Sequence, residues 1–174
     1  MARTGVSLSG IERTFSSDEI IVSKTDLQGR LTYVNDIFLD VAGYSEAELI
    51  GKPHSIIRHP GMPQAVFRLL WATIREEREI FAYVNNRAKN GDHYWVLAHI
   101  TPNHAGDGTI TGYHSNRRVP RRDAFARVEP LYRRMRLAEE AASGTDAGMA
   151  AATAILNEAL AHEGMSYDEF VLSL

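Results

Sequence analysis

Strict alternation of apolar and polar positions is the strongest pattern along the chain. Over residues 93–101, Tyr94, Val96, Ala98 and Ile100 fall on one parity and Trp95, Leu97 and His99 on the other, which predicts a strand. Residues 80–87 and 110–117 predict two more strands. Lys89-Asn90-Gly91-Asp92 joins the first pair as a hairpin turn, and Gly106-Asp107-Gly108 joins the second. Upstream, residues 19–24 and 30–34 predict a further hairpin, closed by Asp26-Leu27-Gln28-Gly29, where glycine supplies the positive φ.

Between the two groups of strands the period changes to that of a helix. Asn35 or Asp36 caps a short helix that Gly43 ends, and Ser45 with Glu48 forms a capping box for another, stopped by Gly51. Pro63 opens a longer helix whose Val66, Leu70 and Ile74 share a face, with Phe67 and Trp71 beside them. The predicted order is β-β-α-α-α-β-β-β with short links. This implies an α+β domain, a five-stranded antiparallel sheet with helices on one face, over residues 19–120. Residues 1–18 are rich in Ser, Gly and Thr and read as a flexible arm, with a short helix near residues 11–15. Residues 121–174 carry no strand signal and read as a helical extension with its own apolar stripes. Within it, Glu129-Pro130 predicts a restart and residues 145–148 a break.

Composition narrows the function classes. The chain has 174 residues, 44% of them hydrophobic and 24% charged, with a formal charge of -3, which gives no sign of a nucleic-acid binder. No cysteine is present, so disulfides, thiolate metal sites and cysteine nucleophiles are excluded. No apolar run approaches the roughly 18 residues of a membrane span, and no secretory leader is visible, so the expected location is the cytoplasm. There is no phosphate-binding glycine loop and no nucleophile elbow. Asp92 and His93 adjoin, but on a hairpin they read as a polar turn rather than a catalytic dyad. The seven histidines lack metal-ligand spacing, so no metal site is expected.

The segment from His54 to Pro63 is the most informative irregular stretch. Its prolines stiffen it, and it places Arg58 and His59 just before the apolar helix. A cluster of this kind suits a planar anionic ligand, because guanidinium forks onto anions and a helix start adds positive potential. It equally suits a solvated linker. Asn86 sits inside a predicted strand, where its amide either meets solvent or satisfies a ligand bearing both donors and acceptors. His114 raises the same alternatives in the last strand, and Trp71 reads as core or as a ligand neighbour.

The strings Ser23 to Asn35, Val41-Ala-Gly-Tyr44 and Glu48-Leu-Ile-Gly51 resemble the opening half of a PAS domain. His54 to Pro63, Leu70-Trp71-Ala-Thr73, Asn86 to Val96, Gly112-Tyr113 and Val128 to Tyr132 are similar to the PAS domain of bacterial aerotaxis receptors. The resemblance covers about residues 19–133. It implies the PAS fold, non-covalent FAD and a redox report, without turnover of a substrate, to a signalling partner. By that resemblance Asn35, His54, Arg58, His59 and Trp71 match positions tied to flavin binding or signalling. Asn86 matches a flavin-contacting amide of the related light sensors, and His114 stands where those sensors carry a glutamine beside the ring. Three departures stand out: Gly61 in place of an aspartate, Ile80-Phe81 in place of Pro-Trp, and His114 itself. His54 occupies the place of the light sensors' reactive cysteine, which excludes adduct photochemistry.

The receptors' membrane anchor and signalling coiled coil have no counterpart here, so the expectation is a free-standing sensor with a non-covalent output. Family habit and the apolar tail predict a homodimer. The competing readings are a haem sensor ligated by His54 or His59, a cofactor-free interaction module, and a small flavin oxidoreductase.

Overall fold

The computed structural model describes residues 7–174. Five antiparallel strands form one sheet, ordered β2-β1-β5-β4-β3. They are β1 (Ile21–Thr25), β2 (Leu31–Val34), β3 (Ile80–Arg87), β4 (His93–His104) and β5 (Ile110–Arg118). β4 runs three residues beyond its predicted end, pairing with β5 as far as His104.

The parity read from β4 holds. Tyr94, Val96, Ala98 and Ile100 are buried and pair across β3 with Asn86, Val84, Ala82 and Ile80. This inner face packs against α1 (Asp36–Ala42), α2 (Glu46–Leu49), a 3-10 turn at His54–Ile57, and α3 (Gln64–Arg75). The shared core includes Phe38, Leu49, Ile57, Val66, Leu70 and Ile74. Burying such side chains stabilises the fold by about 1.5–3 kcal/mol each. Gly43 closes α1 in the left-handed region with φ 70°, its amide donating to Leu39 O. Among the described residues, no helix is long and apolar enough to cross a membrane.

The C-terminal extension becomes α4 (Phe125–Ala141), α5 (Thr145–Glu163) and α6 (Tyr167–Ser173). It takes up the opposite face of the sheet at β3 and β4. Trp95, of outward parity, packs 5.2 Å from Phe125, and the Tyr132 hydroxyl donates to Tyr83 O. Val128, Leu131, Met135, Leu156, Phe170 and Val171 are all buried within the chain. The apolar stripes therefore find their partners internally, which removes them as an argument for a homodimer.

Three expectations for local structure need correction. Pro130 lies inside α4, which runs through it unbroken. It stands in the second turn, and burial of Val128, Leu131 and Tyr132 around it outweighs the lost hydrogen bond. Thr145 begins α5 instead of lying in a break. The link falls at residues 142–144, because Gly148 is needed where α5 crosses α4 closely. The expected flexible arm is, over residues 7–15, packed along the β3–β4 hairpin without any helix. Ser9 Oγ donates to Asp92 Oδ1 at 2.6 Å, Arg13 Nε pairs with Asp92 Oδ2 at 2.9 Å, and Glu12 bridges to His93. Asn90 Nδ2 also donates to Asp92 Oδ2 at 2.8 Å, and the three donors Ser9, Arg13 and Asn90 hold the Asp92 carboxyl down at about 2. Residues 1–6 of the arm lie outside the described residues.

Candidate functional site

Between α3 and the inner face of the sheet lies a cavity of about 370 Å³. That falls within the roughly 300–1,000 Å³ usual for small-molecule sites. Its wall is apolar where Leu70 and Ile74 of α3 face Val84, Ala98 and Ile100. The residues at 70, 74, 84, 98 and 100 reach it because the helix repeats every three to four positions and the strands every two. Trp71 closes one side. Its indole meets the Tyr113 ring edge-on at 5.5 Å, and the β1–β2 turn presses against it. A Cβ on Gly29, where φ is 77°, would lie 2.8 Å from Trp71 Cη2, so glycine is required there.

The polar lining is cationic. Arg58, Arg75 and Arg117 all border the cavity, and no aspartate or glutamate does so among the described residues. Arg58 lies 3.7 Å over the Phe67 ring and Arg75 5.3 Å over Trp71. Arg117 is 3% exposed. Its Nη2 donates to Ser23 Oγ at 2.8 Å and to His54 Nε2, while Nη1 has no partner. Burial lowers its guanidinium to about 10, so it remains a cation at neutral pH. Burial, then the charges of Arg117 and Arg58, push the His54 imidazole well below its usual range. His54 is therefore neutral, and accepting from Arg117 at Nε2 places its proton on Nδ1.

Two more buried polar atoms at this cavity have no partner. They are Nδ2 of Asn86, a residue 3% exposed, and Oγ of Ser115. A buried donor without an acceptor costs about 1–3 kcal/mol, so three such atoms at one cavity point to a ligand that satisfies them.

Of the residues singled out from the sequence, His54, Arg58, Trp71, Asn86 and His114 border the cavity, whereas Asn35 and His59 do not. Asn35 is a structural cap. Its Oδ1 accepts from Val22 N and Phe38 N, and its Nδ2 donates to Ile20 O. His59 accepts from Gly61 N and lies 5.8 Å from the His93 ring, with burial lowering its pKa. His114 borders the cavity from between two buried positions of β5 and is itself half-buried. Tyr113, Ser115 and Arg117 form the buried set of β5, whereas the His114 imidazole meets Asn116 Oδ1 at 3.2 Å. Ser115, its neighbour, has the parity expected of a side chain facing the cavity. Sequence reading missed Arg117 and Ser115 because a run of basic residues at a strand end looks like solvated surface. Alternation carried inward from Tyr113 would have found both.

The family model of the PAS fold matches residues 31–117, half of the chain. The aerotaxis receptor of Escherichia coli (strain K12) is 44% identical over 118 residues, which is 68% of this chain and 23% of the receptor. The chain thus spans about a quarter of that relative. Two solved structures share the fold. The PAS domain of a Colwellia psychrerythraea protein has a TM-score of 0.53 at 20% identity, covering 58% of this chain and 86% of that one. A light-oxygen-voltage domain described with a flavin analogue has a TM-score of 0.55 at 18% identity, covering 64% and 85%. With its sheet order, its helices over the inner face and the cavity between them, the chain belongs to the PAS fold family.

Proposed function

We propose that this PAS domain is a sensor that binds a flavin, FAD, in the cavity and reports the flavin's redox state to a protein partner through a change of shape. One observation carries the reading: a cavity whose polar wall offers Asn86 Nδ2, Ser115 Oγ and Arg117 Nη1 without partners, and whose lining is cationic. A ring system with carbonyl and imine acceptors on one edge, joined to a phosphate-bearing tail, satisfies that set. Asn86 and Ser115 would meet the ring edge, Arg117 its carbonyl side, and Arg58 and Arg75 the anionic tail. When bound, the flavin supplies reversible electron transfer, while the protein supplies the placement and the charge. FAD is preferred to FMN because the resemblance to aerotaxis receptors implies it, and the 44% identity with one such receptor favours a role in energy taxis.

Haem fits less well. A haem ligand needs a free imidazole nitrogen, but His54 Nε2 is engaged by Arg117, and His59 stands away from the cavity. The absorbance of the purified protein tests the reading. Flavin gives bands near about 370 and 450 nm and haem a Soret band near about 400 nm. A Soret band, or no visible band after reconstitution with FAD, overturns it.

A further inference from the structure

Helix α3 forms one wall of the cavity, and its N-terminus carries an unusual cap. The cap position is Pro63, whose side chain has nothing to offer the exposed amides of the first turn. Those amides are satisfied from far along the chain. Gln64 N donates to Glu139 Oε2 at 3.0 Å and Ala65 N to Glu139 Oε1 at 2.9 Å. Both oxygens of one carboxylate thus serve two consecutive amides at the positive end of a 12-residue helix.

Glu139 itself is held firmly. Its side chain is 3% exposed, and Arg136 Nη1 donates to Oε2 at 3.2 Å. α5 lies directly on its main chain, where a Cβ on Gly148 would stand 2.8 Å from Glu139 O. Glu139 is therefore the point at which α3, α4 and α5 meet, and one and two turns along α3 from it are Phe67 and Trp71 in the cavity wall.

We propose that Glu139 is the positioning residue that couples the cavity to the C-terminal helices: a displacement of α3 pulls on this carboxylate and is passed to α5. The inference rests on the sensor reading, since it names the path by which that site reaches an output element. The C-terminal helices are on this view a receiver of the signal as well as a cover for the sheet. Two charge-assisted bonds to consecutive amides are directional, so they transmit a movement that sliding apolar contacts absorb.

A double-mutant cycle on the cofactor-free chain tests the coupling. Hydrogen exchange is followed at residues 64–66 and across α5 in the wild type, Glu139→Ala, Trp71→Ala and the double variant. Glu139→Gln and Trp71→Phe replace any variant that fails to fold. Glu139→Ala is expected to speed exchange of the Gln64 and Ala65 amides about five- to tenfold, the loss of an ordinary cap. Trp71→Ala is expected to change exchange in α5 at least twofold when Glu139 is present, and to leave α5 unchanged when it is absent. A Trp71→Ala effect on α5 that persists undiminished without Glu139 overturns the proposal, as does the absence of any effect in the wild type. Because no flavin is used here, a protein that stays colourless after reconstitution with FAD would end the flavin reading and leave this coupling measurable.

Discussion

Arg117 and His54 meet at the cavity wall, the guanidinium of one donating to the imidazole Nε2 of the other. Burial first, and then the charge of this cation, hold the histidine neutral. The pH dependence of folding follows. Folded His54 takes up a proton only well below 6.5, whereas the unfolded residue does so near 6.5. Between those values the unfolded chain binds more protons, so stability is full above about 6.5 and is lost as pH falls. The slope contributed by one such group is at most about 1.4 kcal/mol per pH unit. His59, also lowered, acts in the same direction. Urea midpoints between pH 7.5 and 5 should fall in the wild type and fall less steeply in His54→Gln. An equal slope in the two assigns the acid sensitivity elsewhere.

Arg117 is a buried cation without a carboxylate, so its removal separates stability from binding. Replacing an uncompensated buried charge by an apolar side chain of similar length is often neutral or stabilising. Arg117→Met should leave the flavin-free protein within about 1 kcal/mol of wild type or above it. Its affinity for FAD should drop about 10- to 100-fold, the worth of one charge-assisted bond. Titration of flavin fluorescence against the apoprotein checks the second part, and wild-type affinity would refute the contact.

Gly29→Ala tests the contact between the β1–β2 turn and Trp71. An L-residue in the left-handed region costs about 1–2 kcal/mol, and here the added methyl would also strike the indole. We expect a lower melting temperature together with a shift in tryptophan emission. A melting change without the emission shift would mean that Trp71 keeps its place.

Truncation after residue 142 tests the role of the tail. Without α5 and α6, α4 and β3 lose the helices packed against them. The shortened chain should be less stable and self-associate in size-exclusion chromatography. A monodisperse, equally stable product would show that these helices fold independently of the sheet.

The strands, their turns and the first three helices were legible because each follows a local rule: parity in Tyr94 to Ile100, positive φ at Gly29, a cap before Asp36. The tail's helices were legible too, but their docking was not. Trp95 and Phe125 are both aromatic, and nothing in their spacing says that they meet. Pro130 misled because the rule against proline is a local one, and tertiary burial overrode it. At the site, single residues of unusual type were visible: His54, Arg58 and Asn86. Arg117 was hidden among four arginines in the six residues 117–122 at a domain boundary, where charge ordinarily means solvent.

The three hydrogen bonds of Asn35 have a practical bearing on how this protein is dissected genetically. That side chain ties β1 to the start of α1 and reaches no part of the cavity wall. A screen that scores retained colour would nonetheless flag its loss, since a warped mould releases its casting as surely as a missing fingerhold does. Colour loss therefore ranks positions by their grip on the scaffold, and a hit becomes a contact residue only after the empty variant is shown to melt like its parent.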